Sequence, residues 1–173
     1  MEIEATLAKK LRVEDVRLLA FDQKNFPLLL NLTSHHDRRI ASNAAWALTL
    51  IPKDEAARLV AQDSERLVDI AISTNDHTLR RLLLTLLCLH DFKKDQLRTD
   101  FIDFCMETAV SPDEKPGTQV AAMKLAFKQC RNYPELLEEL RLLLISTDNL
   151  ITSPAFENCK KKILQKILKQ QKQ

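Results

Sequence analysis

The 173-residue chain has a single glycine, Gly117. A phosphate-cradling loop needs several, because only glycine lets backbone N–H groups come close to a phosphate. The GxGxxG and Walker patterns are absent, as are the Asn-Gly and Asp-Gly pairs that close tight hairpins. An antiparallel β fold would thus lack its preferred turns. Aromatic side chains are scarce too, with one Trp and one Tyr, so stacking on nucleobases is poorly supplied. No apolar run reaches the ~20 residues that a bilayer-spanning helix takes, so no membrane contact is expected. The opening Met-Glu-Ile-Glu-Ala-Thr is acidic and polar, unlike a secretory signal. Cys88, Cys105, Cys130 and Cys159 form no CxxC pair, which removes the zinc-ribbon and thioredoxin patterns. Each lies in an apolar helical stretch and reads as a small core hydrophobe. Four thiols of this kind suit a reducing compartment, and a cytoplasmic location is expected.

What remains is helix-forming material. Leucine supplies 30 residues, and Ala, Lys, Glu, Gln and Arg fill much of the rest. The hydrophobic fraction of 45% is ordinary for a globular domain, and a chain this long can bury a core without staples. The net charge of +2 hides an asymmetry. From Lys160 to Gln173 stand six lysines and no acid, which leaves 20 basic against 24 acidic residues elsewhere.

Prolines and short polar clusters punctuate the chain. Pro27, Pro134 and Pro154 stand near helix starts, where a missing N–H does no harm. Pro112 and Pro116 bracket the one extended loop, in which Gly117 is expected to lie. Ser/Thr/Asp/Asn clusters recur at 33–37, 73–76, 111–113 and 146–149, where such side chains satisfy free backbone groups. Between them lie segments of helical period. They run over 2–10, 13–21, 26–34, 38–51, 54–73, 77–90, 96–110, 118–131, 135–145 and 155–169, with a break expected near Asp63-Ser64. No segment alternates as a strand does.

These segments repeat. With Asp37, Asp76, Pro116 and Phe156 as origins, the spacing is 39, 40 and 40 residues. Seven residues on stand Ala44, Leu83, Met123 and Ile163; eleven on stand Leu48, Leu87, Phe127 and Ile167. A period near 40 with two helices per unit is the pattern of stacked helical hairpins, whose faces bury only against a neighbour. The units read as 23–52, 53–92, 93–132 and 133–173 of one domain, after a helical cap over 1–22.

The run Asp37-Arg38-Arg39-Ile40-Ala41-Ser42-Asn43-Ala44-Ala45-Trp46-Ala47-Leu48 resembles the second helix of a HEAT repeat. Asp76-His77-Thr78-Leu79-Arg80 is similar to its opening, with an Arg directly after the aliphatic residue. Pro116 stands where the third unit should have an Asp, and the fourth keeps only the apolar columns. The resemblance implies an all-α, right-handed α-α superhelix of about four hairpins with an N-terminal helical entry. It implies that the second helices line a concave side, and it names no partner.

Catalytic patterns are missing. His35, His36, His77 and His90 offer no pair one turn apart on a helix, as a metal site would want. There is no GxSxG elbow. The carboxylates at Asp100/Asp103 and Glu135/Glu138/Glu139 have arginines near and read as solvated faces. No cofactor, metal or catalytic residue is expected.

A binding face is the remaining candidate. Two, five or six, and nine residues from each origin lie side chains off the core face. Unit one offers Arg39, Asn43 and Trp46; unit two Thr78, Arg81 and Thr85; unit three Thr118, Ala121 and Leu125; unit four Lys161 and Gln165, with Lys169 a turn on. Arg39, Asn43, Trp46, Arg81 and Thr85 are the candidate partner-binding residues, since Trp and Arg are enriched at interface hot spots. Packing of Trp46 against the next hairpin accounts for it equally well. The reading is a non-enzymatic scaffold or adaptor for a protein or peptide. The alternatives are a nucleic-acid module related to DNA-repair solenoids, and an enzyme or enzyme subunit with an all-helical site. A nucleic-acid face wants a basic stripe through every unit, and in this register Lys124 and Lys128 fall off the row.

Overall fold

The computed structural model describes residues 2–147 and 153–173. Asp148 and Asn149, half of the last polar cluster, lie outside the described residues. Ten α-helices are present among those described: α1 Glu2–Leu7, α2 Val13–Phe21, α3 Phe26–Leu32, α4 Arg38–Leu50, α5 Lys53–Ser73, α6 His77–Leu87, α7 Thr99–Val110, α8 Pro116–Cys130, α9 Pro134–Ser146 and α10 Pro154–Gln171. No strand occurs among the described residues. The fold class is all-α, as read from the sequence.

The helices gather in two compact units, Met1–His90 and Asp91–Gln173. In the first, α3–α4 and α5–α6 are antiparallel hairpins, α4 packs on α6, and α3 touches α5. The cap helices α1 and α2 pack on α4. In the second, α7–α8 and α9–α10 pair in the same way, with α8 against α10 and α7 against α9. Within each unit the first helices thus form one layer and the second helices another.

Helix starts explain the repeat better than the chosen origins do. The Asp37 carboxylate accepts from the N–H groups of Arg39 (2.8 Å) and Ile40 (3.4 Å), and Asp76 from those of Thr78 (2.8 Å) and Leu79 (3.0 Å). Both satisfy N–H groups that a helix start leaves open. These bonds hold the Asp37 carboxyl below its ordinary range. In the second unit the caps are Lys115 and Ser153, each followed by a proline in the first turn. Four second helices therefore start after residues 37, 76, 115 and 153. The origins at Pro116 and Phe156 lie one and three residues past these caps, because Pro116 and Pro154 belong to the first helical turn.

The apolar columns survive that slip. Ala44, Leu83, Met123, Ile163, Leu48, Leu87 and Ile167 are all buried, and only Phe127 is half-buried. A core-facing helix buries a stripe wide enough to absorb a one-residue shift, and a three-residue shift returns to the same face. Counted from the caps, the third column is Ile40, Leu79, Thr118 and Phe156, and the tenth is Ala47, Leu86, Leu125 and Ile163; all eight are buried. Burying one large apolar side chain contributes about 1.5–3 kcal/mol.

Two local readings had different outcomes. Gly117 lies inside the first turn of α8 rather than in the loop, and its φ is not positive. The break near Asp63 is present: α5 continues through Asp63 at φ −136°, ψ 22°, which is not helical. Arg66 Nε donates to Asp63 Oδ2 at 2.7 Å, and Arg66 Nη2 donates to the carbonyl of Leu30 at 3.0 Å. Its guanidinium also reaches Ser34 Oγ. The kink is thereby tied to the end of α3.

Candidate functional site

In the first unit the second-helix row opens on a shallow cleft of about 520 Å³, lined by Ala8, Asp37, Arg38, Arg39, Ser42, Asn43, Asp76 and Thr78. Two helix starts, those of α4 and α6, face it. Ser42 Oγ donates to Asp76 Oδ2 at 3.4 Å, which links them. Of the five candidate residues, the cleft brings together Arg39, which is exposed, and Asn43, which is half-buried. Half-buried Trp46 and exposed Arg81 and Thr85 do not line it. Thr85 Oγ1 is turned back on its own helix, donating to the carbonyl of Arg81 at 2.8 Å.

Asn43 and Arg39 already hold peptide. Asn43 Nδ2 donates to the carbonyls of Leu7 (2.7 Å) and Lys9 (3.2 Å). Arg39 Nη1 reaches the carbonyl of Ala8 at 3.5 Å. The end of α1 leaves these carbonyls without intrahelical partners, and donors from α4 supply them. His35 adds a second tie, its Nε2 3.1 Å from Glu4 Oε1. Its Nδ1 accepts from the N–H of Asp37 at 3.0 Å, which leaves Nε2 as the donor.

The row read for the third unit is core instead. Thr118, Ala121 and Leu125 are 2%, 6% and 0% exposed. On α8, half-buried Val120 and exposed Lys124, five and nine residues from Lys115, reach the surface instead. They face Asn158, Lys162 and Lys166 of α10 across a cleft of about 250 Å³. Lys161, Gln165 and Lys169 are exposed but do not line that cleft. The sequence carried the signal for this register in Pro116 and Pro154, since proline is favoured at the first helical position.

With helix bounds in place, charge separates by layer. Together α4, α6, α8 and α10 carry eleven basic residues and one acid, Glu157. The first helices α3, α5, α7 and α9 carry eleven acids and four basic residues. One lysine of the last helix, Lys160, is only 5% exposed and lies 3.7 Å from Glu157.

Cys130 and Cys159 show no activation. Burial, with Glu139 nearby, pushes Cys130 up to about 12. Burial also raises Cys159, against the pull of Lys124, Lys162 and Lys166. Among the described residues no three His, Cys, Asp or Glu side chains gather as a metal site would require. No described helix is long and apolar enough to cross a membrane.

A family model described as a HEAT repeat domain matches residues 3–167. The chain belongs to the HEAT repeat family. No curated protein and no solved structure matches it. In this HEAT repeat chain the arginine that carried the resemblance, Arg80, closes a turn. Its Nε donates to the carbonyl of Ala71 at 3.4 Å and its Nη2 to that of Thr74, at the end of α5. Arg81, one residue on, is the exposed one.

Proposed function

We propose that this chain is a non-catalytic scaffold or adaptor that binds a protein or peptide along its second-helix faces. The observation that carries this reading is the seating of α1 on α4. Asn43 and Arg39 offer side-chain donors to three successive carbonyls at a helix end. The reading extends this surface to half-buried Trp46 of α4 and to exposed Arg81 and Thr85 of α6. HEAT repeats generally mediate protein interactions, which agrees with this use. None of the four cysteines is in a disulfide, which supports a reducing, cytoplasmic setting.

Affinity capture from the native host tests the reading. Trp46→Ala and Arg81→Glu should each deplete a captured partner while leaving the thermal midpoint nearly unchanged. Lys53→Glu, on a first helix, should leave capture intact. Capture that ignores the second-helix variants and fails with the first-helix one would overturn the proposal. A second reading, a nucleic-acid module, draws on the basic second helices. It predicts binding to a random duplex at low salt that falls steeply as salt rises.

A further inference from the structure

The cleft between α8 and α10 combines an aliphatic floor with a cationic rim. Val120 and Ile163 line the floor beside Cys159, and Lys124, Lys162 and Lys166 stand around it. The three lysines are exposed, and none of them is ion-paired with a carboxylate among the described residues. Like charges crowded at one cleft repel one another, and an anionic occupant relieves that repulsion. Lys162 and Lys166 stand one helical turn apart, about 6 Å along α10. A partner helix with carboxylates one turn apart matches that spacing. A small aliphatic floor between the charges suits one apolar side chain from the same helix face.

We propose that the α8–α10 cleft docks an acidic amphipathic helix of a protein partner. Its carboxylates pair with Lys162 and Lys166, with Lys124 on the opposite wall, and an aliphatic side chain between them enters the floor. The proposal rests on the second-helix faces being the binding side. Nucleic acid fits the cleft less well. A phosphodiester chain offers nothing to an aliphatic floor, and bases stack on open rings or guanidinium planes. The rim has no arginine, the residue best shaped for phosphate. No described aromatic side chain lines the cleft, and the ring of Phe127, with Lys166 Nζ 5.7 Å from its centroid, is half-buried.

The test titrates the full chain against fluorescein-labelled peptides of about 16 residues, long enough to be partly helical. One peptide sets glutamates a turn apart around a leucine, one scrambles that composition, and one replaces glutamate by lysine. A single-stranded oligonucleotide of equal charge completes the set. The first peptide should bind, with amide NMR shifts confined to α8 and α10. Lys162→Glu/Lys166→Glu should weaken it about tenfold or more, as expected for paired charges at an interface. Lys9→Glu/Lys53→Glu should leave it unchanged, and both double variants should melt with the wild type. Equal binding of the scrambled peptide, binding that survives the reversal, or no peptide binding would overturn the proposal. Tighter binding of the oligonucleotide would overturn it in favour of nucleic acid. Self-association abolished by the same reversal would overturn it in favour of a second copy. If the peptides fail while Trp46 and Arg81 variants still deplete a captured partner, this inference falls and the adaptor reading stands. If both fail, both fall.

Discussion

Glu138 joins two helices through one carboxylate. Arg141 grips it from its own helix, Nε to Oε2 at 2.8 Å and Nη2 to Oε1 at 2.6 Å. Gln171, at the end of α10, donates to Oε2 at 2.9 Å. Arg141 first, then Gln171, hold this carboxyl at about 2 against an ordinary 4.5. A carboxyl lowered on folding stabilises the fold above its unfolded value, and that contribution disappears as pH falls through the folded one. Glu138→Gln should therefore lower the thermal midpoint at neutral pH. The gap to wild type should close between about pH 4.5 and pH 2, and it should narrow in high salt, since the cluster faces solvent. A gap that stayed constant down to pH 2 would show that packing, not charge, sets the difference. Residues of this kind were only half legible in the sequence. The Glu138 and Arg141 spacing showed a helical pair, but nothing local revealed Gln171, which lies 33 residues away. Asn43 is similar. Its place on the row followed from periodicity, yet its two bonds reach back to Leu7 and Lys9. Such long-range satisfaction of carbonyls leaves no mark on a 3.6-residue period.

At the scale of elements, helix type and number were legible because each helix carries its own apolar stripe. Starts were harder. Asp37 and Asp76 announce themselves as caps, whereas Lys115 offers no side-chain bond and only the proline after it marks the boundary. The cost of that error fell wholly on the surface row, because a broad buried stripe tolerates a slip and a narrow exposed row does not. The kink in α5 was legible, but its fastening was not. Arg66 binds Asp63 within α5 and, across the unit, the Leu30 carbonyl at the end of α3. A guanidinium at a helix C-terminus meets open carbonyls and the negative end of the helix dipole. Arg66→Ala should destabilise by about 1–2 kcal/mol, since the charge-assisted bonds to Asp63, Ser34 and the Leu30 carbonyl are lost together. For a chain of this size, that lowers the midpoint by about 2–4 °C per kcal/mol. Differential scanning calorimetry reads it, and a midpoint equal to wild type would mean that α3 and α5 pack without this clamp.

For the whole molecule, net charge is a poor guide to behaviour. A value of +2 describes a nearly neutral protein, yet its second helices hold eleven basic residues against one acid. Adsorption to a charged surface follows the local field, which clustered like charges build up and interspersed ones cancel. Position, not only number, should therefore decide retention on a cation exchanger at pH 7. Lys162→Glu/Lys166→Glu and Lys9→Glu/Lys53→Glu change net charge by the same amount. The first pair disturbs the α8–α10 rim, and the second pair changes exposed residues of the first unit that belong to none of its second helices. Both variants should elute before the wild type, and the α10 variant clearly earlier and with a weaker dependence on salt. Each removed contact with the resin lowers the salt slope, as it does for a polyanion. Equal elution of the two variants would mean that the cationic layer acts only through the total charge. The α8–α10 cleft would then lose the local field on which its choice of an acidic partner depends.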